Sequence, residues 1–248
     1  MPEAVRMWVE ISFNVAYLIV VWGLVIAMWR RRGRVAPADR RVANHIMWAF
    51  ALLALGDTGH VGFRVLAYAQ GGLETNLTLF GRQLGLVGLG ALATAITVTF
   101  FYVLLLEAWR ARFNRPYGWF GYLLLAAAAL RLLLMIPAAN EWNNVVPPQP
   151  WSIYRNLPLM LLGLGVAYLI VRDARAAGDR TFTWIGVMIL VSFACYMPVI
   201  FWVQQAPIVG MLMIPKTLAY LVIAGLAYQS LYCPRLAPGV DRVMHITT

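Results

Sequence analysis

Seven apolar runs, each long enough to cross a bilayer as a helix, take up most of this 248-residue chain. They cover residues 7–29, 42–68, 83–106, 118–138, 152–171, 183–203 and 208–231. A spanning helix needs about 20 apolar residues, and hydrocarbon offers no partner for a free backbone amide, so such runs have to be helical. The connections between them are too short to hold a soluble domain. The expected fold is all-α: one integral membrane domain over residues 1–248, a polytopic bundle of seven transmembrane helices. Composition agrees, since hydrophobic residues make up 62% of the chain and charged residues only 12%.

The net charge of +10 would suit nucleic acid if it were spread over a soluble surface, but it is gathered at alternate ends of the runs. Arg30, Arg31, Arg32, Arg34, Arg40 and Arg41 follow the first run, and Arg110, Arg112 and Arg115 the third. Arg172, Arg175 and Arg180 follow the fifth, while Arg235 and Arg242 stand in the tail. The opposite ends carry only Arg6, Arg82 and Arg155. Basic residues flank the cytoplasmic ends of membrane helices, so the N-terminus is expected outside and the C-terminus in the cytoplasm. No nucleic-acid partner is expected. Trp8, Trp29, Trp109, Trp119, Trp142, Trp151, Trp184 and Trp202 fall near the run ends, where indoles favour the interface. The first run is too long for a cleavable signal peptide. The two cysteines, Cys195 within the sixth run and Cys233 at the end of the seventh, sit at different depths and are not expected to pair.

Of the twenty basic residues only Lys216 is lysine, and it lies inside the last apolar run. A charged amine there costs about 3 kcal/mol or more to insert, which makes it a functional-site candidate. It has company. Taking 1.5 Å per residue from each run's midpoint places Asp57, Lys216 and His60 about 3 to 7 Å toward the outside, with Arg64 further out. Arg131, Tyr196 and Asn14 fall at similar depth, Glu10 and Arg155 nearer the rim. Asp57, His60 and Arg64 share one stripe of the second helix by their i, i+3, i+7 spacing. Glu10, Asn14 and Tyr17 repeat that spacing on the first, while Ser192/Tyr196 and Lys216/Tyr220 are four apart on the sixth and seventh. Polar stripes must turn away from lipid, so an outward-facing polar cavity is expected, with an excess of cations.

Three local features complete the reading. Gly85, Gly88, Gly90, Ala91 and Ala93 make the third run rich in small residues that let helices approach closely. Pro198 and Pro215 are expected to kink the sixth and seventh helices. Residues 139–151, with three prolines, Glu141, Trp142 and Trp151, read as a stiff lid over the outer face.

The strings Gly56-Asp57-Thr58-Gly59-His60-Val61-Gly62-Phe63-Arg64, Asn140-Glu141-Trp142, Tyr154-Arg155-Asn156 and Pro215-Lys216 through Tyr220 resemble a group of bacterial seven-helix membrane proteins that has no assigned activity. The resemblance implies the seven-helix fold and a bacterial cytoplasmic membrane, but no catalytic role. Seven helices with a lysine midway along the last also resemble microbial rhodopsins in outline, which would imply retinal on Lys216. Leu212 stands where that family carries Asp, and the third run offers Thr94, Thr97 and Thr99 but no carboxylate.

The function expected first is binding, as a sensor or carrier, of a small anionic amphiphile, with membrane lipids around it and a protein partner needed for any signalling. Its ligand-binding residues would be Asp57, His60, Arg64, Arg155, Asn156, Tyr196 and Lys216. No cofactor and no metal are expected. One alternative is a lipid- or isoprenoid-modifying enzyme with Asp57 and His60 as an acid–base pair. The other is a retinal photoreceptor or pump with Lys216 as the Schiff-base amine.

Overall fold

The computed structural model describes residues 3–79, 82–146 and 148–233, with all their side chains except those of residues 3–10, 79, 82, 83 and 207. The side chains of Arg6, Trp8, Glu10 and Arg82 thus lie outside what is described, as do Arg235 and Arg242 altogether. Seven α-helices follow the apolar runs: α1 Glu3–Arg31, α2 Arg40–Ala69, α3 Leu86–Phe113, α4 Gly118–Leu134, α5 Gln149–Ala176, α6 Arg180–Trp202 and α7 Met213–Ala227. Short 3-10 turns at Pro207–Leu212 and a π turn at Tyr228–Tyr232 extend α7 at both ends, giving an apolar segment Ile208–Tyr232. By length and composition six of these segments are fit to cross a membrane, and the chain is a polytopic helical membrane protein.

The helix α4 is shorter, at 17 residues, or about 26 Å. It stops before Pro137, since a proline ahead disfavours helical backbone, and Met135 and Ile136 form a turn instead of the continuation to residue 138 that hydrophobicity predicts.

Two further boundaries differ from the sequence reading. Residues 82–85 are strand, not the first turn of α3. β1 Asn76–Leu79 and β2 Arg82–Gly85 pair antiparallel, Asn76 opposite Gly85 and Leu77 opposite Leu84. The hairpin stands over a small cluster of Ala67, Leu86 and Val87 with Phe63, Leu73, Leu77 and Val145 around it. Pro215 is no mid-helix kink: it falls in the first turn of α7, where a missing amide costs nothing. Pro198 is inside α6 as expected, and Pro158 lies likewise inside α5.

Small residues set the tightest packing. A Cβ on Gly56 would collide with Thr97 of α3, and one on Gly90 would lie 2.9 Å from the Cα of His60. Thr94 Oγ1 donates to the Gly56 carbonyl across the same contact (2.9 Å). The main core runs beneath, with Phe50, Phe101, Tyr102, Trp109, Phe182 and Phe193 all fully buried. Phe101 packs edge-on against both Phe50 and Tyr220 at 5.4 Å.

The arginine-rich end is cross-tied. Arg112 of α3 reaches Asp39 before α2 (2.6 Å) and Asp179 before α6 (2.9 Å), so one guanidinium ties the end of α3 to two connections. Asp179 also caps α6 by accepting from the Phe182 amide (3.0 Å). Trp109, read as an interfacial ring, is instead buried and donates to Asp173 (2.8 Å). Trp29, Trp119, Trp184 and Trp202 do face outward. Glu107 pairs with Arg110 (3.3 Å), as the i, i+3 spacing predicts. Cys195 and Cys233 are both free, and Cys233 Sγ accepts from Arg31 (2.6 Å).

Candidate functional site

At the opposite end lies a cavity of about 660 Å³ to which all seven helices contribute. Every residue proposed from sequence as a ligand contact lines it: Asp57, His60 and Arg64 from α2, Arg155 and Asn156 from α5, Tyr196 from α6 and Lys216 from α7. The i, i+3, i+7 stripe of α2 therefore does point inward, and the depth estimates bring these four helices to one level. The rest of the wall is largely apolar, with Phe13, Val98, Leu159, Val199, Met211 and Ile214 among it.

The contacts inside are not those that opposite charges at one depth suggest. Asp57 accepts from the Tyr17 hydroxyl (2.8 Å), which satisfies one carboxylate oxygen with a neutral donor. The Lys216 ammonium lies over two rings, 4.5 Å from the centre of Tyr196 and 5.4 Å from that of Tyr220. Aromatic faces attract a desolvated cation strongly enough to hold it there. Among the described residues no carboxylate comes within ion-pair distance of Lys216, so Asp57 and Lys216, opposite charges at similar depth, share the cavity without contact. Asp57 and His60 are not hydrogen-bonded to each other either. An acid–base couple on α2 is not assembled in this arrangement.

Arg155, placed near the rim by its depth, is buried. Its guanidinium stacks 4.2 Å over Trp142 and donates to Asn140 Oδ1 (3.3 Å). Its neighbour Asn156 accepts from the Tyr196 hydroxyl (3.2 Å) and donates to the Ser152 carbonyl (2.8 Å). Tyr220 closes the floor through a hydroxyl–hydroxyl bond to Tyr102 (2.9 Å).

Arg131 of α4 also lines the cavity, although sequence reasoning left it out of the ligand set. It is only 2% exposed. Its one hydrogen bond goes to the neutral Thr99 Oγ1 (3.0 Å), and its Nε has no partner among the described residues. The depth calculation had already put Arg131 level with Tyr196. What was missing was its direction, because α4 is apolar on every side. Among the described residues the cavity wall thus carries four cations, Arg64, Arg131, Arg155 and Lys216, against one carboxylate, Asp57.

The α4–α5 connection covers this end. Trp142, Val145 and Val146 line the cavity from above, and Trp142 Nε1 donates to the Met135 carbonyl (3.0 Å). The segment is seated directly on α3. A Cβ on Gly88 would collide with the Trp142 carbonyl, and one on Gly85 with that of Asn143. The glycine-rich start of the third run therefore serves the lid as well as the helix pair. Among the described residues no group of three His, Cys, Asp or Glu side chains is placed to hold a metal ion.

No protein family, curated protein or solved structure matches this chain.

Proposed function

We propose that this chain is a seven-span membrane protein, N-terminus outside and C-terminus in the cytoplasm, that binds a small anionic amphiphile in a cavity opening to the outer face. The observation that carries this reading is the charge of the wall: among the described residues, four cations to one carboxylate around about 660 Å³. A buried cation without a counter-charge is costly, and an incoming anion offsets that cost. The apolar remainder of the wall suits a hydrocarbon tail, and a volume of this size suits a ligand of small-lipid dimensions. With no catalytic couple assembled, binding for sensing or carriage accounts for the site better than turnover. The orientation follows from the arginines at the Arg112 end.

The test uses purified protein in a neutral maltoside detergent. Dodecanoate and dodecyl phosphate should each raise the thermal unfolding temperature in a saturable way, because a ligand that binds only the folded state adds about 2.7 kcal/mol at a hundredfold excess over Kd. Dodecyltrimethylammonium, of equal chain length and opposite charge, should not. Equal stabilisation by the cationic amphiphile would sink the reading.

A further inference from the structure

Three of the four cavity cations, Arg131, Arg155 and Lys216, line the same wall as Tyr196. Lys216 lies on the ring of Tyr196, whose hydroxyl is bonded to Asn156, the residue next to Arg155. Arg131 stands within electrostatic reach of Tyr196, Arg155 and Lys216. Both residues are more than nine-tenths buried, and among the described residues each donates one hydrogen bond, to a neutral side-chain oxygen, Thr99 for Arg131 and Asn140 for Arg155. A guanidinium carries five N–H donors in a planar fork, so most of this donor capacity is unspent, including the partnerless Arg131 Nε. Arg64, the fourth cation of the wall, stands on the α2 stripe with His60.

We infer that Arg131, Arg155 and Lys216 form a head-group site for a phosphate monoester, so that the amphiphile is a monoalkyl phosphate and not a fatty acid or a sulfate. This rests on the anionic-amphiphile reading and narrows it. Among the described residues the wall has four cations to one carboxylate, an excess that accommodates two negative charges as readily as one, and a phosphate monoester carries close to two at neutral pH. Its three terminal oxygens can be shared among two forks and an ammonium, a pattern that guanidinium recognises with two parallel bonds. A carboxylate has only two oxygens and one charge, and a sulfate ester has three oxygens but one charge. The tail would run along Val199, Val203, Met211 and Ile214, the apolar part of the wall between α6 and α7.

Calorimetric titration at pH 8 with dodecyl phosphate, dodecyl sulfate, dodecanoate and inorganic phosphate tests this. Dodecyl phosphate should bind about tenfold tighter than dodecanoate, since an additional hydrogen bond between charged groups is worth at least that factor, and about tenfold tighter than dodecyl sulfate, because it brings a second negative charge to the same cations. Between pH 8 and pH 5 the advantage should disappear as the phosphate, with its second pKa of about 6, takes up a proton. Dodecyl sulfate keeps one charge throughout and so reports any titration of the wall itself, from Asp57, His60, Lys216, Tyr17, Tyr196 and Tyr220. Arg131→Met should abolish the preference for phosphate over sulfate. Arg155→Lys, which keeps the charge and loses the fork, should reduce it and serves if the first variant does not fold. Equal affinities for the three dodecyl anions, or a preference that survives at pH 5, would overturn the phosphate assignment while leaving anion binding in place. Binding of no anion at all would overturn the anionic-amphiphile reading with it. Inorganic phosphate binding as tightly as its dodecyl ester would keep the head-group site and remove the tail.

Discussion

The lid over the cavity depends on a glycine that can be tested by a single methyl group. Gly88→Ala places a Cβ against the Trp142 backbone carbonyl, and a backbone cannot rotate out of the way as a side chain would. The lid must lift. Doing so gives up the Trp142–Met135 hydrogen bond and the Arg155–Trp142 stack, about 1 kcal/mol for the first and about 2 kcal/mol for a desolvated cation on an indole. Alanine in a helix returns about 1 kcal/mol over glycine. The net expectation is a loss of about 2 kcal/mol, or a fall in unfolding temperature of about 4–8 °C for a chain of this size. Gly23→Ala is the matched control, because its Cβ would meet nothing within 4 Å, and it should be neutral or slightly stabilising. Thermal unfolding in detergent supplies the first measurement. The second is the maleimide reactivity of a cysteine at Val145, in a background without Cys195 and Cys233, which should rise with Gly88→Ala. If Gly88→Ala proves as stable as Gly23→Ala and leaves that cysteine as slow to react, the lid is not seated on α3.

Three more outcomes follow from the contacts. In double-mutant cycles Tyr17→Phe and Asp57→Asn should couple by about 1.5–3 kcal/mol, the range for a hydrogen bond to a charged group. Asp57→Asn with Lys216→Met should couple less, because those groups share the cavity without touching; the reverse order would refute the arrangement. Arg112→Met should cost about 1–2 kcal/mol, as two half-exposed ion pairs are each worth up to about 1 kcal/mol. That loss should shrink in high salt, and a salt-independent loss would mean that packing and not charge is at stake. A reporter fused after Thr248 should be active in the cytoplasm, and cysteines placed at Gly71 or Asn144 should label from outside in intact cells. Labelling only after the membrane is broken would exclude the proposed orientation.

Much of the bundle was legible in the chain because one force dominates it: apolar runs of sufficient length must be helical in lipid. Depth was legible for the same reason, since rise per residue is fixed, and that is why seven polar residues on four helices could be placed at one cavity. Contact was not. Whether Lys216 meets Asp57 or the rings of Tyr196 and Tyr220 depends on how α7 is rotated against α2 and α6, and side-chain packing sets that rotation. Arg131 escaped for a related reason, as a single cation on an otherwise apolar helix defines no stripe. The hairpin was missed because Leu84 continues the apolar run of α3, so that composition alone does not separate residues 82–85 from the helix after them. Only the pairing of Asn76 with Gly85 reveals it.

A buried arginine that serves structure and one that serves a ligand make opposite predictions about stability. A structural guanidinium is matched by the protein itself, and removing it strands a carboxylate; Arg112, between Asp39 and Asp179, is of that kind. Arg131 strands nothing. Its only partner, Thr99, keeps its own bond to the Ala95 carbonyl (2.8 Å) when the guanidinium is gone. Replacing even a complete buried ion pair with apolar side chains of similar volume is often neutral or stabilising by about 1–4 kcal/mol, and an ion without a counter-charge has no pairing energy to lose. Arg131→Met should therefore raise the unfolding temperature of the ligand-free protein while removing the stabilisation that dodecyl phosphate gives the unaltered chain. Such a trade of binding for stability is the mark of a site held in a costly state for its ligand. Unfolding curves of both proteins with and without dodecyl phosphate measure it directly. A ligand-free Arg131→Met protein that melts several degrees lower would instead make Arg131 part of the frame, and the unpaired charge at the heart of the cavity would need another explanation.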